Sequence, residues 1–283
     1  MALKGDIVAL ADQLIDAVID EGRCDFVPAI AEPLPVTVFL RMLGLPVEKM
    51  WDFRGIIHEF MAPPSGPLDM AQRMWKVMDA MRDTMLARRS DPQDDIISLL
   101  WKTEIDGRPM SWDDMENYGL VLFTAGLDTV INGMSFGIRH LATDLSLQAR
   151  LRADPKLVMD AAEEILRRYT FTVPPRAVAK DQEFFGWPMK KGEGAMLFLP
   201  GADLDPKAFP DSDRFDLDRE NKVHIAFGAG PHRCLGSHLA RVELQVIYER
   251  MLARLPEFRL DPEHPPRFHG GYVIGVDSLP IIW

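Results

Sequence analysis

The stretch from Ser111 to about Leu141 constrains the fold more than any other part of the chain. Ser111-Trp-Asp-Asp114 is a capping box, in which a hydroxyl and a carboxylate satisfy the first free N–H groups of a helix. The residues that follow keep a helical character to about Leu141, a length of about 45 Å at 1.5 Å per residue. A rod of that length must cross a whole domain. Its middle, Leu120–Thr129, is apolar on nearly every side, which marks a span covered all round. Within it Ala125-Gly-Leu-Asp-Thr129 is discordant. A glycine inside a helix costs roughly 1 kcal/mol relative to alanine. A buried aspartate needs a partner or water. The Thr129 hydroxyl can turn back to the carbonyl of Ala125 and open the helix locally. Taken alone, a packing glycine beside a capped polar pair is the simpler explanation.

Shorter helices precede this rod. Met1–Glu21 carries Ile7, Leu10, Ala11, Leu14 and Val18 on one face and stops at Gly22. A second helix runs from about Pro33 to Leu43 before Gly44 and Pro46. Glu48–Met61 and Leu68–Arg89 form a hairpin across the punctuated joint Ala62–Pro67, and Asp95–Lys102 is a short helix before an Asp106-Gly107 turn. After the rod, Asp160–Tyr169 is helical, with Glu164 and Arg167 three apart on one face, a spacing that by itself signals an ordinary surface pair. From Ala177 to Phe198, apolar runs broken by Gly186-Trp-Pro188 and Lys191-Gly192 predict a small antiparallel sheet, and Tyr272–Trp283 reads as a last strand pair.

The chemistry concentrates in His224–Leu244. Val223, Ile225 and Phe227 alternate like the end of a strand. Gly228, Gly230 and Pro231 then force a sharp turn. Cys234-Leu-Gly236 leads into a helix over Ser237–Leu255, so Cys234 stands at a helix mouth between His232, Arg233 and free N–H groups. Thiolates, the form that ligates metals, are favoured in such settings. A small buried cysteine would leave the glycines and the flanking basic residues unexplained. A phosphate cradle of the dinucleotide type lacks its third glycine, since Arg233 stands there. A zinc site from His232, Cys234 and His238 has a single cysteine where such sites usually recruit more.

Phe227-Gly-Ala-Gly-Pro-His-Arg-Cys234-Leu-Gly236 resembles the haem-binding loop of the cytochromes P450, with Phe, Gly, Cys and Gly at the family's spacing. The resemblance implies a mainly α fold with a small antiparallel β region. It makes Cys234 the axial thiolate of haem b (iron protoporphyrin IX), a ligand that favours O–O cleavage. Phe227 would pack on the cysteine side of the macrocycle, and Gly228 and Gly236 would let the backbone approach. His232 and Arg176 would reach the propionates. Ala125–Thr129 is similar to the family's oxygen-binding kink, which assigns Thr129 to hydrogen-bonding dioxygen, Asp128 to relaying protons, and Ala125 to the cofactor's edge. Glu164 and Arg167 match the family's Glu-x-x-Arg element, with Arg214 as the implied third member of a structural group. Val121, Thr124, Thr172, Tyr272 and Val273 would line the substrate pocket, although for any one of them taken alone ordinary core packing is the simpler explanation. The likeness is greatest to the bacterial camphor-hydroxylating type, in Ala125–Val130, Phe227–Glu243 and the Gly-Val-x-x-Leu-Pro tail.

The implied activity is insertion of one oxygen atom of O2 into a small hydrophobic substrate, with electrons from an acidic iron–sulfur ferredoxin. Between Asn221 and Val242 lie three basic residues, three histidines and no acids, a basic island that suits such a donor. The net charge of −11 argues against a nucleic-acid partner. Two cysteines, no uninterrupted apolar window of about 18 residues, and an acidic amphipathic start without signal-peptide form point to the cytoplasm and away from a membrane. Set against the family, residues 1–283 are expected to be one domain lacking its N-terminal quarter. The competing expectations are an inactive truncated fragment with weak or no haem binding, and a zinc-binding module at Cys234.

Overall fold

The computed structural model describes residues 2–62 and 66–283, so the centre of the Ala62–Pro67 joint lies outside the described residues. Two compact units are present, one of residues 1–20 and 27–131, the other of 21–26 and 132–283.

The first unit is helical. Its helices are α1 (Ala2–Asp16), α2 (Pro33–Leu43), α3 (Met50–Met61), α4 (Pro67–Ser90), α5 (Ile96–Trp101) and α6 (Trp112–Gly126). Local chemistry sets their ends. Gly44 closes α2 in the left-handed region at φ 74°, Asp95 accepts from the Ser98 N–H to start α5, and Ser111 and Asp114 cap α6 reciprocally. The buried face of α1 is Ile7, Ala11 and Ile15, rather than the Leu14 and Val18 side. That i, i+4, i+8 stripe drifts less around a short helix than the wider face read from sequence. The ring of Phe53 on α3 meets that of Phe123 on α6 edge-on, with centroids 5.6 Å apart.

The second unit holds most of α7 (Thr129–Thr143) together with α8 (Leu145–Ala153), α9 (Val158–Arg168), α10 (Leu199–Asp203) and α11 (Ser237–Arg254). In it α11 packs against α9 and α8. Tyr248 of α11, fully buried, donates its hydroxyl to the carbonyl of Gly133 at 2.8 Å. The sheets are small and antiparallel. The N-terminal strand Arg23–Asp25 pairs with the C-terminal Pro280–Ile282, which also pairs with Arg259–Leu260. Pro175–Ala177 pairs with Gly194–Met196, and Gln182–Phe184 with Trp187–Met189.

The long rod opens where its sequence is discordant, since α6 ends at Gly126 and α7 begins at Thr129. Two expectations are corrected here. The C-terminal strands do not pair with one another: Gly275–Ser278 bonds to Arg267–His269, while Pro280–Ile282 turns away to the N-terminal strand. Val223–Phe227 is no strand. Its backbone donors are taken by side chains: Val223 N–H by Asn221, Ile225 N–H by Asp203 and Ala226 N–H by His224. Alternation of apolar residues supplies a face, but a ladder needs a neighbouring backbone.

Candidate functional site

In the first unit the central helix breaks for identifiable reasons. A Cβ on Gly126 would collide with the ring of Phe39, so glycine admits that ring against the backbone. Thr129 donates its hydroxyl to the carbonyl of Ala125 at 3.2 Å. Arg54, reaching over from α3, gathers what the break releases. Its Nη1 donates to the Leu127 carbonyl at 2.8 Å and meets Asp128 at 3.2 Å, and its Nη2 meets Glu32 at 2.6 Å. Upstream, Tyr118, Val121 and Ala125 form an exposed stripe on α6, with Thr124 beside it, bonded to the Leu120 carbonyl. Arg54 carried no sequence signal, since its partners lie more than twenty or seventy positions away.

In the second unit the cysteine loop is held by backbone bonds. Gly228 and Gly230 sit at φ 68° and 67°, the left-handed region that glycine enters freely. The Gly228 N–H reaches the Ile225 carbonyl at 2.7 Å, and the Cys234 N–H reaches the Phe227 carbonyl at 2.8 Å. Cys234 is exposed just ahead of α11, whose N-cap is Gly236. His232 lies in a short turn over Gly230–His232 and is exposed, as is Arg176 on its edge strand. Thr172 and Val273 form an isolated antiparallel bridge, with Tyr272 half exposed next to it. His232, Cys234 and His238 do not bring ligand atoms together: among the described residues the group that does is Asp261, Glu263 and His264.

Behind the loop, Glu164 and Arg167 form a sealed pair, not a surface one; their side chains are 1% and 0% exposed. All five Arg167 N–H groups are used, on both Glu164 oxygens and on the carbonyls of Asp203, Ser212 and Arg214. The third member differs from the expected one. Arg219 meets Glu164 at 3.2 Å and is buried, whereas the side chain of Arg214 is exposed and only its carbonyl joins the network. The chain bends so that five residues further on the cation points inward, and both arginines hold the same loop by its carbonyls. Asp203 was also unforeseen. Its carboxylate takes the Ile225 N–H at 2.9 Å and the Thr170 hydroxyl at 2.6 Å, which pins the approach to the cysteine loop.

The basic island is partly neutralised by α9. Lys222 meets Asp160 at 2.9 Å, and Arg241 meets Glu163 at 2.6 Å. Arg233, His232 and His238 remain exposed.

The sequence profile of the family described as Cytochrome P450 matches residues 68–279. The chain belongs to the cytochrome P450 family. It is 36% identical over 294 residues to the Steroid C26-monooxygenase of Mycobacterium tuberculosis, an alignment covering 99% of this chain and 78% of that protein. To Cytochrome P450-SU2 of Streptomyces griseolus it is 35% identical, covering all of this chain and 70% of the relative. The crystal structure of CYP101J2 superposes with a TM-score of 0.90 at 34% identity, covering the whole chain and 70% of that structure. CYP109E1 from Bacillus megaterium, in complex with corticosterone, matches at 0.86 and 27%, covering 99% of this chain and 78% of that one. The protein is accordingly a P450 monooxygenase, an oxidoreductase that uses haem, O2, an organic substrate and a redox partner.

The residues present suit a haem. The exposed thiol ends a loop whose own backbone bonds hold it, and a Cβ added at Gly236 would stand 3.9 Å from the sulfur. The run of α6 and α7, 112–143, contains an 18-residue window apolar enough to cross a membrane by composition, but half of that window is buried inside the protein and the run carries the break just described.

Proposed function

We propose that this P450 binds haem b through Cys234 and inserts one oxygen atom of O2 into a small, largely apolar substrate, in the cytoplasm, with electrons from an acidic iron–sulfur ferredoxin. The observation that carries the reading is the presentation of Cys234, exposed ahead of a helix and tied to Phe227 by the 2.8 Å backbone bond. Haem, when bound, supplies the activation of dioxygen. Around it, Cys234 would donate a thiolate, Phe227 would pack on the same side, and Gly228, Gly236 and Ala125 would allow close approach. Arg176 and His232 would bind the propionates. Thr129, its hydroxyl lightly held by Ala125, can exchange that bond for one to dioxygen. Asp128 would bring protons from the solvent side, its carboxylate steadied by Arg54. Val121, Thr124, Thr172, Tyr272 and Val273 would face the substrate, and Glu164, Arg167 and Arg219 would hold the scaffold. An acidic ferredoxin would meet the exposed Arg233 and the histidines beside it.

Two tests bear on this. The reduced, carbon-monoxide-treated protein should give the red-shifted Soret band of thiolate ligation, and Cys234→Ala should abolish it. A histidine-type spectrum unchanged by that substitution would overturn the reading. Substrate class is tested by the spectral response to a panel of monoterpenes and steroids, the latter suggested by the names of two similar proteins. A response only to charged, polar compounds would reject an apolar substrate.

A further inference from the structure

The helix α9 carries two adjacent carboxylates that serve different neighbours. Glu164 is consumed by the arginine network. Glu163, about 100° around the helix, points to the cysteine loop instead. Its Oε1 accepts from Arg241 Nε at 2.6 Å, and its Oε2 from Arg241 Nη2 at 2.9 Å, a two-pronged contact that fixes the guanidinium plane. The same Oε2 lies 3.0 Å from His224 Nε2. The Nδ1 of His224 accepts the Ala226 N–H at 3.2 Å, so the ring proton sits on Nε2 and is donated to Glu163. Burial alone would raise the Glu163 carboxyl, but the bonds from His224 and Arg241 outweigh it and hold it down at about 2.

Each partner continues to the loop. The Arg241 guanidinium lies 4.6 Å from the centroid of the Phe227 ring, and the His224 ring is 6.0 Å from it. The Phe227 carbonyl is the group that takes the Cys234 N–H. One carboxylate therefore ties the residues leading into the loop to the helix that leaves it. The Arg241 cation is thus carried beside the residue whose carbonyl holds Cys234, and Glu163 offsets that cation.

We infer that Glu163 is a positioning residue for the thiolate loop: through Arg241 and His224 it holds Phe227 against Cys234, and its charge limits how much positive field the sulfur feels. The inference rests on the assignment of Cys234 as haem ligand. The field has a signed consequence. Without the Glu163 charge, Arg241 is uncompensated and draws electron density from the sulfur, so the iron becomes easier to reduce. Without the Arg241 charge, the Glu163 carboxylate keeps its His224 bond but its negative charge is no longer offset by Arg241, and the iron becomes harder to reduce.

The test uses purified haem-loaded protein and the variants Glu163→Gln, Arg241→Gln and the double variant. The reduction potential should rise in Glu163→Gln, fall in Arg241→Gln and return towards the starting value in the double variant. The reduced carbon-monoxide complex of both single variants should lose its thiolate band faster than the parent, with thermal unfolding of the rest of the protein little changed. A role limited to packing would shift both single variants the same way. Equal potentials, or shifts of one sign, would overturn the inference. If Glu163→Gln fails to retain haem, the sign in Arg241→Gln decides it. A parent protein without the thiolate band would overturn the ligand assignment itself, a result distinct from a thiolate-bearing parent whose variants do not differ from it.

Discussion

The anchor on α9 and the break between α6 and α7 are both built from arginine and carboxylate, and they are finished differently. At the anchor, Arg167 places all five of its donors, and Glu164 takes contacts from Arg167, Arg219 and the Asp216 N–H. At the break, Arg54 collects a carbonyl and two carboxylates, yet its Nε is buried without a hydrogen bond. Thr129 makes a long bond of 3.2 Å to Ala125. A closed network is suited to hold a scaffold, because removing one partner strands the others in a dry interior. A network with loosely held members can exchange them for substrate, oxygen or water.

The largest effect that would sharpen this contrast is at the anchor. Glu164→Ala should cost about 3–5 kcal/mol, the range for stranding a buried charge, and Arg219→Ala should approach it. Arg214→Ala should stay within about 0.5 kcal/mol, since its exposed side chain contributes nothing to the network. Chemical denaturation of the three variants checks this. A Glu164→Ala cost below about 1 kcal/mol would place the pair with exposed ones and erase the contrast.

Next in size is a pH dependence on the anchor side. His140 lies 2.9 Å from the Tyr169 hydroxyl and packs on Phe215 with ring centroids 4.3 Å apart. Burial pushes its ring from the usual 6.5 down to about 4. The folded state then holds it neutral while the unfolded chain takes up the proton. Stability should be full above about pH 6.5, fall as the pH drops towards 4, and be lower by on the order of 3 kcal/mol below that. His140→Phe should flatten the curve over this window. An unchanged slope would mean that the ring is not held in a dry site.

At the break, Gly126→Ala should cost about 1–3 kcal/mol because the new methyl meets Phe39. Pairing it with Phe39→Leu should recover part of the loss, and additive costs would show that the two do not touch. The smallest stability effect is expected for Thr129→Ala, within about 0.5 kcal/mol. Product formed per electron consumed should nevertheless fall, as reducing equivalents go to peroxide. Unchanged coupling would return Thr129 to a packing role.

Features set by neighbours in the chain were legible without coordinates. Gly44 and the Ser111–Asp114 box ended and began helices where local backbone needs required it. The Gly-x-Gly spacing ahead of Cys234 foretold a turn that presents the sulfur, because left-handed φ values need glycine. The discordance at Gly126–Thr129 marked the break for the same local reasons. Tertiary structure alone decided the partners. It chose Arg219 over Arg214, gave Arg54 to Asp128, and paired Arg23–Asp25 with Pro280–Ile282 across nearly the whole chain. It also replaced the expected strand before the loop with side-chain bonds from Asn221, Asp203 and His224. Helix ends and tight turns depend on dihedral preferences within a few residues. Which distant charge or strand edge fills a given place depends on loop closure and packing, and neither leaves a period in the sequence.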